Sequence, residues 1–188
     1  GGIYLYKTNS VYVAYGSFFS NNSVDKGGAI YFEQKSENST IINSIFSGNY
    51  GKNGGGAIYS KHATPTINYT TFWNNNVDIE EGSNGGGIYC EDGSAMTIIN
   101  SILWDNAGNS HPEIYFESIV GDTLFTIEYS DIEGGFTGDG NLNTDPVFED
   151  TDNGNFHLQE NSPCIGTTST PDSNDQMGAY GGENGDWE

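Results

Sequence analysis

Residues 55–75 read GGAIYSKHATPTINYTTFWNN, and two short motifs frame them: Gly-Gly-Ala-Ile at Gly55–Ile58 and Phe-x-x-Asn at Phe72–Asn75. Both recur. The first returns at Gly27–Ile30 and Gly85–Ile88, with a truncated copy at Gly1–Ile3. The second returns at Phe19–Asn22 and Phe46–Asn49, with Leu103–Asn106 as a variant. Ile30, Ile58 and Ile88 are 28 and 30 residues apart. A period of this size marks a solenoid, in which each repeat buries its apolar side only against its neighbours.

Between the motifs lie short runs rich in Ile, Tyr, Phe and Thr, punctuated by Gly, Asn and Ser. That is strand chemistry, and no window repeats apolar residues at helical spacing. About 28 residues suits one coil of three short strands and three turns. Equivalent segments recur in the same direction, so the stacking is parallel, and parallel crossovers are right-handed. The expected fold is an all-β, right-handed parallel β-helix of about five coils with a C-terminal cap.

Stacking the repeats predicts columns of equivalent residues. Tyr4, Tyr31, Tyr59, Tyr89 and Tyr115 form one. Ile41, Ile67, Ile98 and Ile127 form an inward aliphatic ladder. Ser17, Ser44, Thr70, Ser101 and Ser130 form a small-residue column, and Phe19, Phe46, Phe72, Leu103 and Ile132 continue the core. Asn22, Asn49, Asn75 and Asn106 fall at turns, where Asn tolerates left-handed angles and its amide bonds between coils.

This alternation resembles the GGAI and FxxN repeats of the polymorphic outer membrane proteins, β-helical passenger domains of bacterial surface adhesins. The resemblance spans roughly residues 1–135. In the fifth coil His111-Pro112-Glu113-Ile114 stands in for GGAI, so the stack is ending there. Residues 138–188 change character, with Asp145-Pro146-Val147-Phe148, Phe156-His157-Leu158, Ser162-Pro163-Cys164-Ile165 and Gly178-Ala179-Tyr180-Gly181-Gly182. They resemble the closing segment of secreted bacterial β-helix repeat proteins. The division is thus coils over 1–137 and a terminal coil with cap over 138–188. Because Gly1–Ile3 is a partial motif, the sequence reads as the last coils of a longer β-helix. The resemblance implies secretion or display on a bacterial surface and a non-catalytic role as adhesin-like passenger or stalk.

Five lysines stand against 26 acidic residues, with no arginine, for a formal net charge of −21. Such a field repels nucleic acid, anionic lipid and acidic polysaccharide. Neutral glycans, host or neighbour-cell proteins and divalent cations remain as partners, and no direct membrane insertion is expected. The open edge of the first coil is expected to pair with a second molecule. Cys90 and Cys164 read either as a disulfide or as two small core residues.

Three groups of residues are candidates for a site. Trp73 and Trp104 occupy the same position of adjacent coils and should point outward together, as a platform for sugar rings or protein or as residues buried under the 76–84 loop. Asp139, Asn141, Asn143 and Asp145 alternate, and Asp150 and Asp152 follow, a spacing able to aim hard oxygens at one Ca2+ or simply to close a turn. The loops Ser23–Lys26, Tyr50–Asn53, Asn76–Asn84 and Ala107–His111 vary in length on a constant scaffold, as the binding edge of a solenoid does. The alternative class is a carbohydrate-active enzyme with carboxylates in an acidic groove, such as Glu91-Asp92 beside Glu117, or in further coils.

Overall fold

The computed structural model describes residues 2–8, 10–34, 36–91, 93–117, 125–170 and 175–182. The first coil carries β1 (Ile3–Tyr6), β2 (Tyr12–Ala14), β3 (Ser17–Phe19) and β4 (Asn22–Ser23). The second carries β5 (Ile30–Glu33), β6 (Glu37–Ser47) and β7 (Tyr50–Gly51), and the third β8 (Ile58–Lys61), β9 (Thr64–Trp73) and β10 (Asn76–Val77). The fourth carries β11 (Ile88–Cys90), β12 (Thr97–Ile99) and β13 (Ile102–Trp104), and the fifth β14 (Ile114–Phe116), β15 (Thr126–Glu128) and β16 (Asp131–Ile132). An antiparallel hairpin of β17 (Phe148–Asp150) and β18 (Asn155–Leu158) follows, joined through a 3-10 turn at Thr151–Asn153.

Every strand of the five coils pairs in parallel with its equivalents in neighbouring coils. β1, β5, β8, β11 and β14 make one face, and β4, β7 and β10 a narrow second one. The third face is built from β2, β3, β6, β9, β12, β13, β15 and β16. The expected parallel β-helix is therefore the observed fold. No helix among the described residues is long and apolar enough to cross a membrane.

The third face bends along its length. Tyr15, Asn43, Tyr69, Asn100 and Tyr129 form a column with φ between 44° and 55°, a left-handed kink repeated in each coil. The repeat glycines solve a different problem. Gly27, Gly55 and Gly85 have φ of 62°, 64° and 65°, which side chains rarely adopt. Their neighbours Gly28 and Gly56 leave no room at all, since a Cβ would lie 2.1 and 2.2 Å from the carbonyl oxygen of the equivalent glycine one coil on.

The interior is filled by side-chain columns. Ile30, Ile58, Ile88 and Ile114 align, as do Val13, Ile41, Ile67, Ile98 and Ile127. The tyrosine column holds its expected register, with ring centroids 4.6 to 5.3 Å apart. Ser44, Thr70, Ser101 and Ser130 each donate a hydroxyl to the carbonyl two residues earlier. The hydroxyls of Ser101 and Ser130 also accept the backbone N–H of the equivalent residue one coil back, 3.2 and 3.1 Å away.

The first coil departs from expectation by one residue. Phe18, not Phe19, pairs with Phe46, and their rings stack at 4.6 Å and 3°. Ser17 pairs with Ile45, leaving Gly16 to donate to the Ser44 hydroxyl. Asn21, not Asn22, enters the asparagine column. Phe19 is left on the outside, 47 % exposed. Doubled residues (Phe18-Phe19, Asn21-Asn22) make both registers readable, and only the inner one continues the aromatic stack.

The asparagine column is a directional ladder. Asn49 Oδ1 accepts the backbone N–H and side-chain Nδ2 of Asn21 at 3.0 and 2.9 Å. Asn75 Oδ1 does the same for Asn49, and Asn106 Oδ1 for Asn75. The second amide hydrogen of Asn49, Asn75 and Asn106 goes to the carbonyls of Phe18, Phe46 and Phe72. Each buried amide is thus satisfied by its neighbours, which is the condition for tolerating it.

The C-terminal segment both closes the end of the solenoid and packs back along it. Residues 138–144 close the end: Leu142 N–H donates to Ser130 and Ile132 N–H to Leu142. Residues 146–170 and 175–182 lie along the bent third face as a strap. Gly178 donates to the Asn100 carbonyl and Ala179 to the Thr71 hydroxyl. The Asn43 amide reaches the Ala179 and Gly181 carbonyls at 3.0 and 2.7 Å. Asn100 brackets Ser169 in both directions, and Tyr69 donates to Asp175 at 2.8 Å.

Candidate functional site

The variable loops stack as regularly as the strands that launch them. Lys52 N–H donates to Ser23, and Asn53 is bonded to Asp25 through backbone and side chain. Asp78 N–H and the Ser83 hydroxyl donate to the Lys52 carbonyl, and Asn84 Oδ1 accepts from Ser110. The four loops therefore form one continuous, ordered edge. In the longest loop Ile79 is 56 % exposed, and Glu80, Glu81 and Gly82 are exposed beside it. Asp78 holds that tip by accepting from the N–H groups of Glu80 and Glu81.

The tyrosine column borders this edge. The Tyr89 ring lies close enough to Gly54 to forbid a side chain there, and His111 lies 5.3 Å from Tyr115. Two of the few cations converge on the same column. Lys26 and Lys61 meet Glu91 at 3.2 and 2.7 Å, Lys26 sits 4.4 Å over the Tyr59 ring, and Tyr59 donates to Glu91 at 2.6 Å. Burial alone would raise the Glu91 carboxyl, but hydrogen bonds from Lys61, Tyr59 and Lys26 outweigh it and bring it down to about 2. Burial raises the Tyr59 phenol above its ordinary value, and its bond to Glu91 adds to that. Loops, tyrosines and this charge cluster make one surface of mixed apolar and polar character. Asp92, expected beside Glu91, lies outside the described residues.

Glu113 was missed from sequence. It terminates the asparagine ladder: Asn106 donates its backbone N–H to Oε1 at 3.0 Å and its amide to Oε2. It is 3 % exposed and lines a cavity of about 370 Å³ with His111, Phe116, Ile132, Glu133 and Phe136. Burial raises its carboxyl to about 8, against the Asn106 bonds and with help from Glu133. The signal was available, because Glu113 occupies the column of Ala29, Ala57 and Gly87, all buried.

Trp73 and Trp104 pair in register on adjacent strands and point outward as expected. Their cover, however, is the strap and not the 76–84 loop. Trp73 meets Phe148 edge-on at 5.4 Å and Phe156 at 6.5 Å. Trp104 packs on the cluster of Ile102, Cys164 and Met177. Both indoles are half-buried, and each packs against the chain's own C-terminal segment.

The acidic run is used in turns. Asn141 Oδ1 accepts from Ser130 and its amide donates to Ile127 and Phe136. Asn143 Oδ1 accepts from Gly134, Asp145 from Val147, and Asp150 caps Asn153. Asp139 and Asp152 are exposed. No three His, Cys, Asp or Glu among the described residues group closely enough to hold a metal ion. Cys90 and Cys164 are buried and unpaired in separate clusters, and Cys164 donates to the buried Asp131 at 3.1 Å.

Residues 16–33 and 43–61 match the Chlamydia polymorphic membrane protein repeat. Each matched stretch holds a Phe-x-x-Asn followed by a Gly-Gly-Ala-Ile. No curated protein and no solved structure matches the chain. Two stretches of this β-helix are thus similar to the polymorphic membrane protein repeat.

Proposed function

We propose that this chain is a surface-associated, non-catalytic β-helix of adhesin type, a rigid stalk of a bacterial surface or secreted protein. Its stacked loop edge, with the adjoining tyrosines, meets a neutral glycan or a protein of another cell. The observation that carries this reading is the division of labour within each coil. The two repeat motifs are used up in stacking, through the close glycine approaches and the asparagine ladder. Only the loops are free to vary, and they are held in a rigid row rather than left mobile, so a partner meets a preorganised surface. The net charge of −21 favours partners that are neutral or carry cations.

The test is binding of the chain to a glycan array and to immobilised cell-surface proteins. The comparison is a variant with Ile79→Ser, Glu80→Ser and Glu81→Ser, which alters only exposed atoms of the tip. Binding is expected to fall about tenfold or more, with the melting temperature unchanged. Equal binding by both proteins would move the contact away from the loop edge.

A further inference from the structure

Glu91 shows how this fold treats a carboxylate beside aromatic rings. The Lys26 ammonium lies 3.2 Å from that carboxylate and 4.4 Å over the Tyr59 ring, and Lys61 meets the other oxygen at 2.7 Å. The cavity at Glu113 has the same parts without the cation. Buried Ile114 and Ile132 line it, and Phe116 and Phe136 form a wall, their ring centroids 6.0 Å apart and their planes at 58°. Glu133 lines it as well, with Oε2 fixed by the Asp105 N–H at 2.7 Å. Glu133 and Phe136 are exposed, so the cavity opens to solvent. No lysine or arginine lines it, and none follows Lys61 in the sequence. A buried carboxylate has lost its water and is ordinarily stabilised by a cation. The volume of about 370 Å³ lies within the range of small-ligand pockets.

The donors already in place select the kind of cation. Asn106 bonds both Glu113 oxygens, one through its backbone N–H and one through its amide. The paired edge that a guanidinium fork would use is therefore taken. A lone pair remains on each oxygen, and a compact ammonium can take single bonds from separate acceptors. Its alkyl stem then packs on the apolar walls, and its charge on the phenyl faces. A divalent metal would need several oxygen ligands and would gain nothing from the rings.

We propose that this cavity is a recognition pocket for a lysine side chain of a partner protein, with the ammonium held by Glu113 and Glu133 against Phe116 and Phe136. The proposal rests on the loop edge being the binding surface, and it narrows the partner to a protein that presents a lysine. Ser110 and His111 belong both to the rim of the cavity and to the end of that edge. The net charge of −21 attracts such a partner.

The probe is Nα-acetyl-lysine N-methylamide, titrated against the chain at physiological salt and followed by NMR. Its norleucine and arginine counterparts are the controls. Saturable one-to-one binding of the lysine probe is expected, with shifts centred on residues 110–116 and 132–136. Both controls should bind at least about tenfold more weakly. Glu133→Gln changes an exposed side chain and keeps an acceptor for Asp105, and it is expected to weaken the lysine probe about tenfold. Glu113→Gln should do the same with the spectrum of the fold retained. Equal binding of the norleucine probe would reduce the pocket to an apolar cleft, and tighter binding of the arginine probe would reject the ammonium. Unchanged affinity in both variants, or no saturable binding, overturns the proposal outright. If the lysine probe fails while the variant at Ile79, Glu80 and Glu81 still loses partner binding, the pocket is wrong and the loop edge stands. If the probe binds as expected while that variant keeps its partner, the loop tip is wrong and the pocket stands.

Discussion

At the scale of single residues, the coils are held by polar groups that are fully spoken for. Asn75 has no exposed surface, gives two donors to Asn106, a third to Phe46, and accepts two from Asn49. Asn75→Ala takes the acceptor from the Asn49 N–H and amide and a donor from the Phe46 carbonyl, all in the second coil, and one of two donors from Asn106 Oδ1. The expected loss is about 3 kcal/mol of unfolding free energy, read by denaturant titration; a loss under about 1 kcal/mol would mean that water replaces the rung. Glu113 is different because its charge is conditional. Its folded pKa of about 8 lies above the ordinary carboxyl value of 4.5, so the folded state holds the extra proton. Stability from this group is therefore full below pH 4.5, falls as pH rises, and is lost above about 8. The slope is at most about 1.4 kcal/mol per pH unit. Glu113→Gln keeps an acceptor for Asn106 and removes the titration. The difference in stability between variant and wild type is expected to grow in the variant's favour from pH 5 to pH 8, roughly along that slope. A difference that is flat with pH would show that Glu113 is ionised throughout.

At the scale of elements, the informative case is the strap of residues 146–170 and 175–182. It covers a column of Ile45, Thr71, Ile102 and Asp131 that faces away from the helix interior, together with the two tryptophans. Trp73→Ala removes the indole between Phe148 and Phe156 and is expected to cost about 3 kcal/mol. Limited proteolysis distinguishes two forms of that loss. Cleavage confined to the strap would make it a separately opening unit, and simultaneous cleavage of the coils would make it part of one cooperative fold. The strap was also where reading the sequence stopped. Coils are legible because stacking forces equivalent residues into register, as the tyrosine and isoleucine columns show. The segment after Gly138 has no period, and nothing local says that its residues return to a face several coils back. The outward direction of Trp73 and Trp104 was legible from strand alternation, whereas their cover was not. The slip in the first coil is an intermediate case. Phe18 is 28 residues from Phe46, and Asn21 lies six before Gly27 just as Asn49 lies six before Gly55, so spacing to both motifs selects the inner pair. Glu113 was legible only by asking what a glutamate does in a buried alanine column.

At the scale of the whole molecule, charge and stacking oppose each other. Coils lie one strand spacing apart, so equivalent surface carboxylates in successive coils stand within a Debye length at physiological salt. With 26 acidic residues against five lysines, and two of those lysines engaged on Glu91, the excess is not locally paired. Added sodium chloride is therefore expected to raise the melting temperature by screening this repulsion, mostly below about 0.2 M. The same titration separates general screening from a specific calcium site. The amide oxygens of Asn141 and Asn143 already accept backbone donors, and Asp145 and Asp150 cap the turns that follow them. A cation would have to displace those bonds to gather the run around itself. At matched ionic strength, calcium and magnesium chloride are thus expected to give equal increments, and a chelator in excess to leave the melting temperature unchanged. A larger increment with calcium alone, removed by Asp139→Asn with Asp145→Asn, would overturn this and make the closing turns of the solenoid a calcium-dependent lock. The outcome bears on the loop edge as well. If the closing turns need no ion, a divalent-cation requirement in glycan or protein binding would have to arise at the interface itself, at Asp78, Glu80 and Glu81 of the projecting tip.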